Sequence, residues 1–347
     1  RSHMKNEHKQ GPQAHLHAGS DRTIWDGELP WYQAVVLWLL QLGTIPTHVA
    51  IMPDGNRRFA TRTGTDLYRT YVMGTRLYAQ VCRWCLNIGV ECVTAFLLAV
   101  RHMQRSTFEK TALLTGVVDT WMESMRNLER VRSLGLEIRT AGSLDILPEE
   151  FSLKLAALEV ATRDRMTKQK ILTITVDGTK TQLLRLALNF AKALKVDRLH
   201  PEDITTQFTD DCLCLVECPA ANMLVRLAGP RFSDFLVPQC SYAYLHMLPK
   251  SWEDIHFWDW TRAILLYQLQ WPAIVVVKER HLEVLKSKSG PQSVVGLLRQ
   301  RKFMTHVVSS QTDCAAERAQ DYARLYQGKP TVSSVNGFSQ ARPRINN

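Results

Sequence analysis

The chain has 347 residues, 45% of them hydrophobic, enough for a sizeable core in one large domain or two. Its formal net charge of +10 favours acidic partners: diphosphates, anionic membrane surfaces or nucleic acid. No nucleic-acid-binding motif is present, so no nucleic acid is expected, and no apolar run reaches the about 18 residues of a spanning helix.

Residues 1–22 are polar and are expected to be disordered, with Arg1 to Met4 read as an expression scar. His15 and His17 fit a polar tail better than a metal site. Residues 23–43 carry Trp25, Trp31, Tyr32, Val35, Val36, Trp38, Leu39, Leu40 and Leu42, which predict an amphipathic helix with Pro30 in its first turn. Three roles are open to it: lying on a membrane interface, covering the mouth of a lipid tunnel, or packing on the domain.

The next stretch runs from His48 to Ala60. Val49-Ala50-Ile51-Met52 is an apolar run of strand length, Pro53 ends it, and Gly55 permits a tight turn. Asp54 then stands at the carboxyl end of a strand, where open α/β sheets place their ligands. A carboxylate there can hold Mg²⁺, a hard cation that shares its coordination with substrate phosphates. Arg57 and Arg58 offer forked donors that suit phosphate oxygens. The side chains ask for a diphosphate; a polar turn with two solvated arginines is the plainer alternative.

Residues 61–70 are polar and read as a loop able to close over substrate. Tyr71 to Asn87 predicts a helix and Val90 to Leu98 a strand, which puts His102 and Arg105 on the same rim as Asp54. Thr107 to Ser133 predicts one long amphipathic helix, whose Leu113, Leu114, Val117 and Val118 could line a tunnel or simply fill the core. Further strands are expected at 136–139, 171–176, 223–227 and 242–247. Further helices are expected from Pro148 to about Lys168, from Gln182 to Leu194, near Pro201, and from Trp252 past Leu269. Strands alternating with helices predict an α/β fold with a largely parallel central sheet flanked by helices. After Lys278 the pattern weakens. Lys286 to Pro291 reads as a linker, and 328–347 as a disordered tail. The cysteines are scattered, apart from Cys212, Cys214 and Cys218, and lack zinc spacing, so they read as small buried hydrophobes.

The His48–Ala60 string resembles the signature of the cis-prenyltransferases, the undecaprenyl and dehydrodolichyl diphosphate synthases. Gly74 with Trp84-Cys85, Gly89-Val90 and Thr94 resembles a second family segment. Arg105-Ser106 resembles a third, and Ile138-Arg139 with Gly142 and Leu147-Pro148 a fourth. Leu224-Val225-Arg226, Gly229, Arg231, Ser233-Asp234-Phe235 and Gln239 resemble a fifth. The likeness spans about His48 to about Gln270. It implies a catalytic domain over 44–278 with an elongated hydrophobic tunnel, an N-terminal helix before it, and a partly disordered extension over 279–347. It implies Mg²⁺-dependent condensation of isopentenyl diphosphate onto an allylic diphosphate, with farnesyl diphosphate the expected acceptor, to give a long cis-polyprenyl diphosphate for dolichol synthesis.

By position, the resemblance gives Asp54 the metal and the allylic diphosphate. Gly55, Asn56, Arg57, Arg58 and Phe59 surround that diphosphate. Arg226, Arg231 and Ser233 hold the isopentenyl diphosphate, and Arg105 sits beside the reacting pair. The likeness also implies a homodimer or a heteromer with a related subunit, peripheral membrane contact, and a place at the cytoplasmic face of the endoplasmic reticulum or in the cytoplasm.

The chain departs from the family pattern at several places. Ala99-Val100-Arg101-His102 stands where the family has Ser-x-Glu-Asn, so His102 replaces an amide and could accept the proton. Tyr71 replaces a histidine and Leu67 an arginine. Leu227-Ala228-Gly229-Pro230 replaces Thr-Ser-Gly-Glu, one residue shorter. Tyr244 stands where bacterial members carry a metal-binding glutamate, which eukaryotic catalytic subunits also lack. These departures keep a second reading open: a catalytically weakened subunit that binds prenyl diphosphate and supports a partner.

Overall fold

The computed structural model describes residues 24–163, 170–216, 219–288 and 293–326. The expected tails, with His15 and His17, the linker around 289–292, Cys218, and any helix reaching Lys168 lie outside these residues.

The chain begins with α1 (Trp31–Leu40), β1 (His48–Met52), α2 (Asn56–Thr63), α3 (Leu67–Ile88), β2 (Cys92–Phe96) and the single turn α4 (Val100–Met103). Next come α5 (Thr107–Leu114), a π-helical turn (Thr115–Asp119), α6 (Thr120–Arg126), α7 (Leu128–Ser133), β3 (Leu136–Ala141), α8 (Glu149–Thr162) and β4 (Lys170–Thr175). The last elements are α9 (Thr179–Lys195), α10 (Thr206–Val216), β5 (Met223–Leu227), β6 (Tyr244–Leu248), α11 (Phe257–Lys288) and α12 (Val294–Tyr326).

The six strands form one sheet in the order β3-β4-β2-β1-β5-β6, and every neighbouring pair is parallel. The inner strands are buried on both faces, as their continuous apolar runs require. Val49, Ile51, Val93, Ala95 and Val225 enter the main core with α3, α5 and α8. Ala50, Met52, Phe96 and Leu224 face a smaller cluster around Phe235 and Leu236.

Several elements differ from expectation. Gly64, at φ +68°, ends α2, and the Asp66 side chain accepts from the Arg69 N–H to start α3. The expected loop over 61–70 therefore shrinks to three residues. The helix expected over Thr107–Ser133 breaks at Asn127, whose side chain accepts from the Arg130 N–H and caps α7. The π turn falls where Gly116 crosses α3; a Cβ there would lie 2.7 Å from the Tyr71 Cβ. The N-terminal helix starts only at Trp31, because Trp25 is fully buried and donates from its indole to Ser124 at 2.8 Å. Leu37 and Leu40 turn inward, while Trp31, Val35, Trp38 and Leu39 remain exposed. Among the described residues no helix is long and apolar enough to cross a membrane.

The chain past Lys278 is strongly helical. α11 runs through Pro272 to Lys288. α12 spans 33 residues and packs on α8 and α10. Phe303 anchors it, meeting Phe190 at 5.4 Å and Phe208 at 5.8 Å. Arg299 grips the buried Asp203 with two nitrogens at 2.6 and 2.8 Å. Replacing Phe303 by alanine removes the hub of this third cluster and is expected to cost about 3 kcal/mol in urea unfolding. A loss well under 1 kcal/mol would show that α12 is not seated by this contact.

Candidate active site

The sheet's connections reverse at β1. β2, β4 and β3 lie on one side of β1, and β5 and β6 lie on the other. Ligands of open parallel sheets bind outside the carboxyl ends of the strands at such a switch point. A cleft of about 910 Å³ opens there. Asp54, Gly55, Asn56, Arg57, Arg58, His102, Arg105, Arg226, Arg231 and Ser233 all line it. Phe59 does not: it is buried beneath α2, with the Arg62 guanidinium 5.5 Å from its ring.

Pairing of β1 with β5 sets Met52 opposite Arg226. This register carries the Arg226 guanidinium to Asp54, with Nη2 donating to Oδ2 at 2.7 Å. Nε of Arg226 donates to the Gly229 carbonyl at 3.0 Å, and its Nη1 is buried with no partner among the described residues. The other Asp54 oxygen accepts from the Gly55 N–H at 2.7 Å. Burial opposes ionisation of Asp54, but the hydrogen bonds from Arg226 and Gly55 outweigh it and hold the pKa below the usual carboxylate value.

Gly55 adopts φ +100°, and a Cβ there would come within 2.8 Å of the Ser251 backbone. Only glycine lets the two loops touch. The turn at 251–254 supports the Asp54 loop from below. Trp252 N–H donates to the Asp54 carbonyl at 2.9 Å, and the Trp252 indole donates to the Gly74 carbonyl at 2.7 Å. Asn56 donates to Glu253 at 2.6 Å, and Arg62 to both oxygens of Asp254 at 2.7 Å.

On the far rim, Arg105 donates to the Tyr71 hydroxyl at 3.1 Å. Arg58 donates to the Ala228 carbonyl at 2.8 Å. Ala228, Ser233, Asp234 and Leu236 all have positive φ, so the loop carrying Arg231 and Ser233 is strained, as loops at ligand sites often are. The cleft lining also includes the apolar side chains of Leu97, Leu113 and Val117. Leu114 and Val118 turn away into the core.

His102 is pushed down to about 3 by burial, with Arg105 and Arg101 adding to the shift. Its Nδ1 accepts from the Ala99 N–H at 3.2 Å. It is therefore neutral and weakly basic, which argues against the expectation that it takes the proton. For Mg²⁺, the donor set is one carboxylate. Asp54 is 37% exposed, each of its oxygens keeps a spare lone pair, and no group of three or more His, Cys, Asp or Glu is assembled among the described residues. Such a site fits a cation that takes its other ligands from substrate phosphates and water. Tyr244 does not line the cleft; its hydroxyl lies 3.2 Å from His246 Nδ1.

A sequence model described as "Putative undecaprenyl diphosphate synthase" matches residues 51–271. The chain belongs to the cis-prenyltransferase family. It is 27% identical over 266 residues to the Mus musculus dehydrodolichyl diphosphate synthase complex subunit Dhdds, covering 76% of this chain and 80% of that one. It is 26% identical over 239 residues to the tritrans,polycis-undecaprenyl-diphosphate synthase (geranylgeranyl-diphosphate specific) of Methanopyrus kandleri, covering 68% and 87%. Lavandulyl diphosphate synthase from Lavandula x intermedia, solved with dimethylallyl diphosphate, shares the fold. Its TM-score is 0.56 at 21% identity, over 64% of this chain and 95% of that one.

Arg62, Arg101, Trp252 and Glu253 were not singled out as site residues from the sequence. Arg62 follows Arg58 by one helical turn, a usable signal; the 251–254 turn is about 200 residues away in sequence and gives none. Burial raises the Glu253 pKa from the usual 4.5 to about 7. The protonated form thus favours the fold: this contribution is complete below pH 4.5 and is lost as pH rises through about 7. Glu253→Gln, which keeps an acceptor for Asn56, is expected to flatten that fall in a Tm-against-pH series. An unchanged slope would remove Glu253 as its source.

Proposed function

We propose that the cleft condenses isopentenyl diphosphate onto an allylic diphosphate, with farnesyl diphosphate as acceptor, to build a cis-polyprenyl diphosphate for dolichol synthesis. The observation that carries this reading is the arginine-lined cleft around Asp54, which Leu97, Leu113 and Val117 also line. The Gly55–Arg58 turn offers the first N–H groups of α2 and two guanidiniums to one diphosphate. Arg226, with its unpartnered nitrogen, Arg231 and Ser233 face the second. Arg105, braced by Tyr71, stands beside the reacting carbons. These donors stabilise the charge that develops as the diphosphate leaves. Asp54 would hold Mg²⁺, which would supply Lewis-acid neutralisation of that leaving group.

The relatives' description as complex subunits supports assembly with a related subunit or a second copy. The edge strand β6, with Leu245 and Met247 exposed, offers a surface for it. The exposed aromatic face of α1 supports peripheral contact with a membrane, at the cytoplasmic face of the endoplasmic reticulum. The Asp54–Arg226 pair and the acid-shifted His102 favour one alternative, a weakened subunit that binds prenyl diphosphate and supports its partner.

Incorporation of radiolabelled isopentenyl diphosphate onto farnesyl diphosphate separates the two. The active reading expects long-chain product that drops at least about 100-fold in Asp54→Ala. Turnover unchanged by Asp54→Ala in the assembled complex would establish the supporting role instead.

A further inference from the structure

A second, larger recess lies on the other half of the sheet. It measures about 1340 Å³, and none of its lining residues lines the Asp54 cleft. Leu172 and Ile174 of β4 point into the main core, so Ile171 and Thr173 point the opposite way and, with Arg139 of β3, form the floor. One wall is α9, whose Arg185, Asn189 and Lys192 share a face at helical spacing. The other is α12, where Arg299, Lys302, His306 and Ser310 do the same. α12 begins at Val294, beyond the stretch 51–271 that the family model matches, so this recess is an addition to the shared fold.

Eight cations line the recess, and most are paired. Arg139 bonds Glu137, Arg163 reaches Glu137 and Glu159, and Arg185 bonds Asp177. Arg299 bonds Asp203, with Glu202 at 3.9 Å, and Arg318 bonds Asp145. With Asp197, which stands 3.1 Å from His200, that is seven carboxylates against the eight cations. The net charge is therefore small, and its direction is what matters. The side chains of Glu137, Glu159, Asp177 and Asp203 are 10% exposed or less, whereas their arginines are 21–47% exposed. Each pair buries its negative end and turns its positive end outward. A guanidinium carries five N–H donors, more than one carboxylate takes up, and the buried partner fixes how the fork is aimed. Lys192, Arg198 and Lys302 add charges with no side-chain hydrogen bond or ion pair among the described residues. A singly charged anion would meet one or two of these groups. A chain of linked phosphates, with several charges and many acceptor oxygens, can meet both walls at once. The phenyl ring in the lining, Phe303, is buried in its own cluster, so it offers no face for a base to stack on.

We propose that the recess between α9 and α12 is a binding site for a small polyanion of polyphosphate type, separate from the cleft and independent of its chemistry. Inorganic tripolyphosphate is titrated calorimetrically into the full chain at about 0.15 M salt, which screens loose surface attraction. The parent is compared with Lys192→Gln plus Lys302→Gln, with Lys180→Gln plus Lys195→Gln, and with Arg231→Gln, each checked for an unchanged melting temperature. The first pair removes recess charges, the second removes two exposed charges of α9 outside the recess, and Arg231 belongs to the cleft. The recess pair is expected to weaken binding at least about 20-fold, and the other two variants less than about threefold. ATP is expected to bind no more than about tenfold tighter than tripolyphosphate, because only phosphates are read. No binding by the parent, unchanged affinity in the recess pair, or an equal loss in the control pair overturns the proposal. So does loss confined to Arg231→Gln, which assigns the ligand to the cleft, or a larger preference for ATP, which assigns a nucleotide.

Discussion

The ion pair between Asp54 and Arg226 is the constraint around which this molecule is arranged. Its two members sit 172 positions apart and meet because β1 and β5 are parallel neighbours in a fixed register. Arg226 is 1% exposed, so a misplaced register would strand a buried charge, a far larger penalty than a lost surface contact. The Gly55 turn, the strained loop after β5 and the 251–254 turn all bear on this pair. Each fixes one more side of a small volume in which anionic groups are preferred over water.

That volume is unusual in its balance. A lining with seven guanidiniums and one carboxylate is electrostatically frustrated by itself, and the protein tolerates it by giving most of the arginines fixed acceptors. Tyr71, Ala228, Asp254 and Asp54 serve as those acceptors, so the forks are oriented before any ligand arrives. Preorganised donors of this kind lose little on binding and favour charge that appears during reaction. Burial is the main reason His102 is neutral, and the same crowding of cations adds to it.

The strand, turn and arginines of the Asp54 loop are legible in the sequence because they are contiguous. An apolar run, a breaker and a glycine determine local geometry without help from the rest of the chain. The parallel sheet is legible for a related reason, since alternating strands and helices admit few topologies. The buttress of Trp252 and Glu253 is not legible, because it acts through contacts that only the folded sheet creates. Phe59 misleads in the opposite direction: adjacency to Arg58 suggests the site, yet helical geometry turns its ring to the opposite side. The break at Asn127 competes with a helical pattern on both sides and is decided by one side-chain cap. α12 escapes a reading based on apolar stripes, because only Gly296, Gln300, Phe303 and Ala315 of its 33 residues are buried.

The seating of α12 has a temporal side. Phe190 and Phe208 face one another from α9 and α10, but the ring that completes their cluster is Phe303, about a hundred residues downstream. A chain emerging from the ribosome therefore finishes its sheet and its cleft while this aromatic patch still lacks a cover. For the time needed to synthesise α11 and the first third of α12, several seconds at roughly 5–20 residues per second, the nascent protein presents a sticky surface. The last long helix is thus a closing step in biogenesis, and any chain halted before Phe303 would carry a formed cleft on an unfinished body.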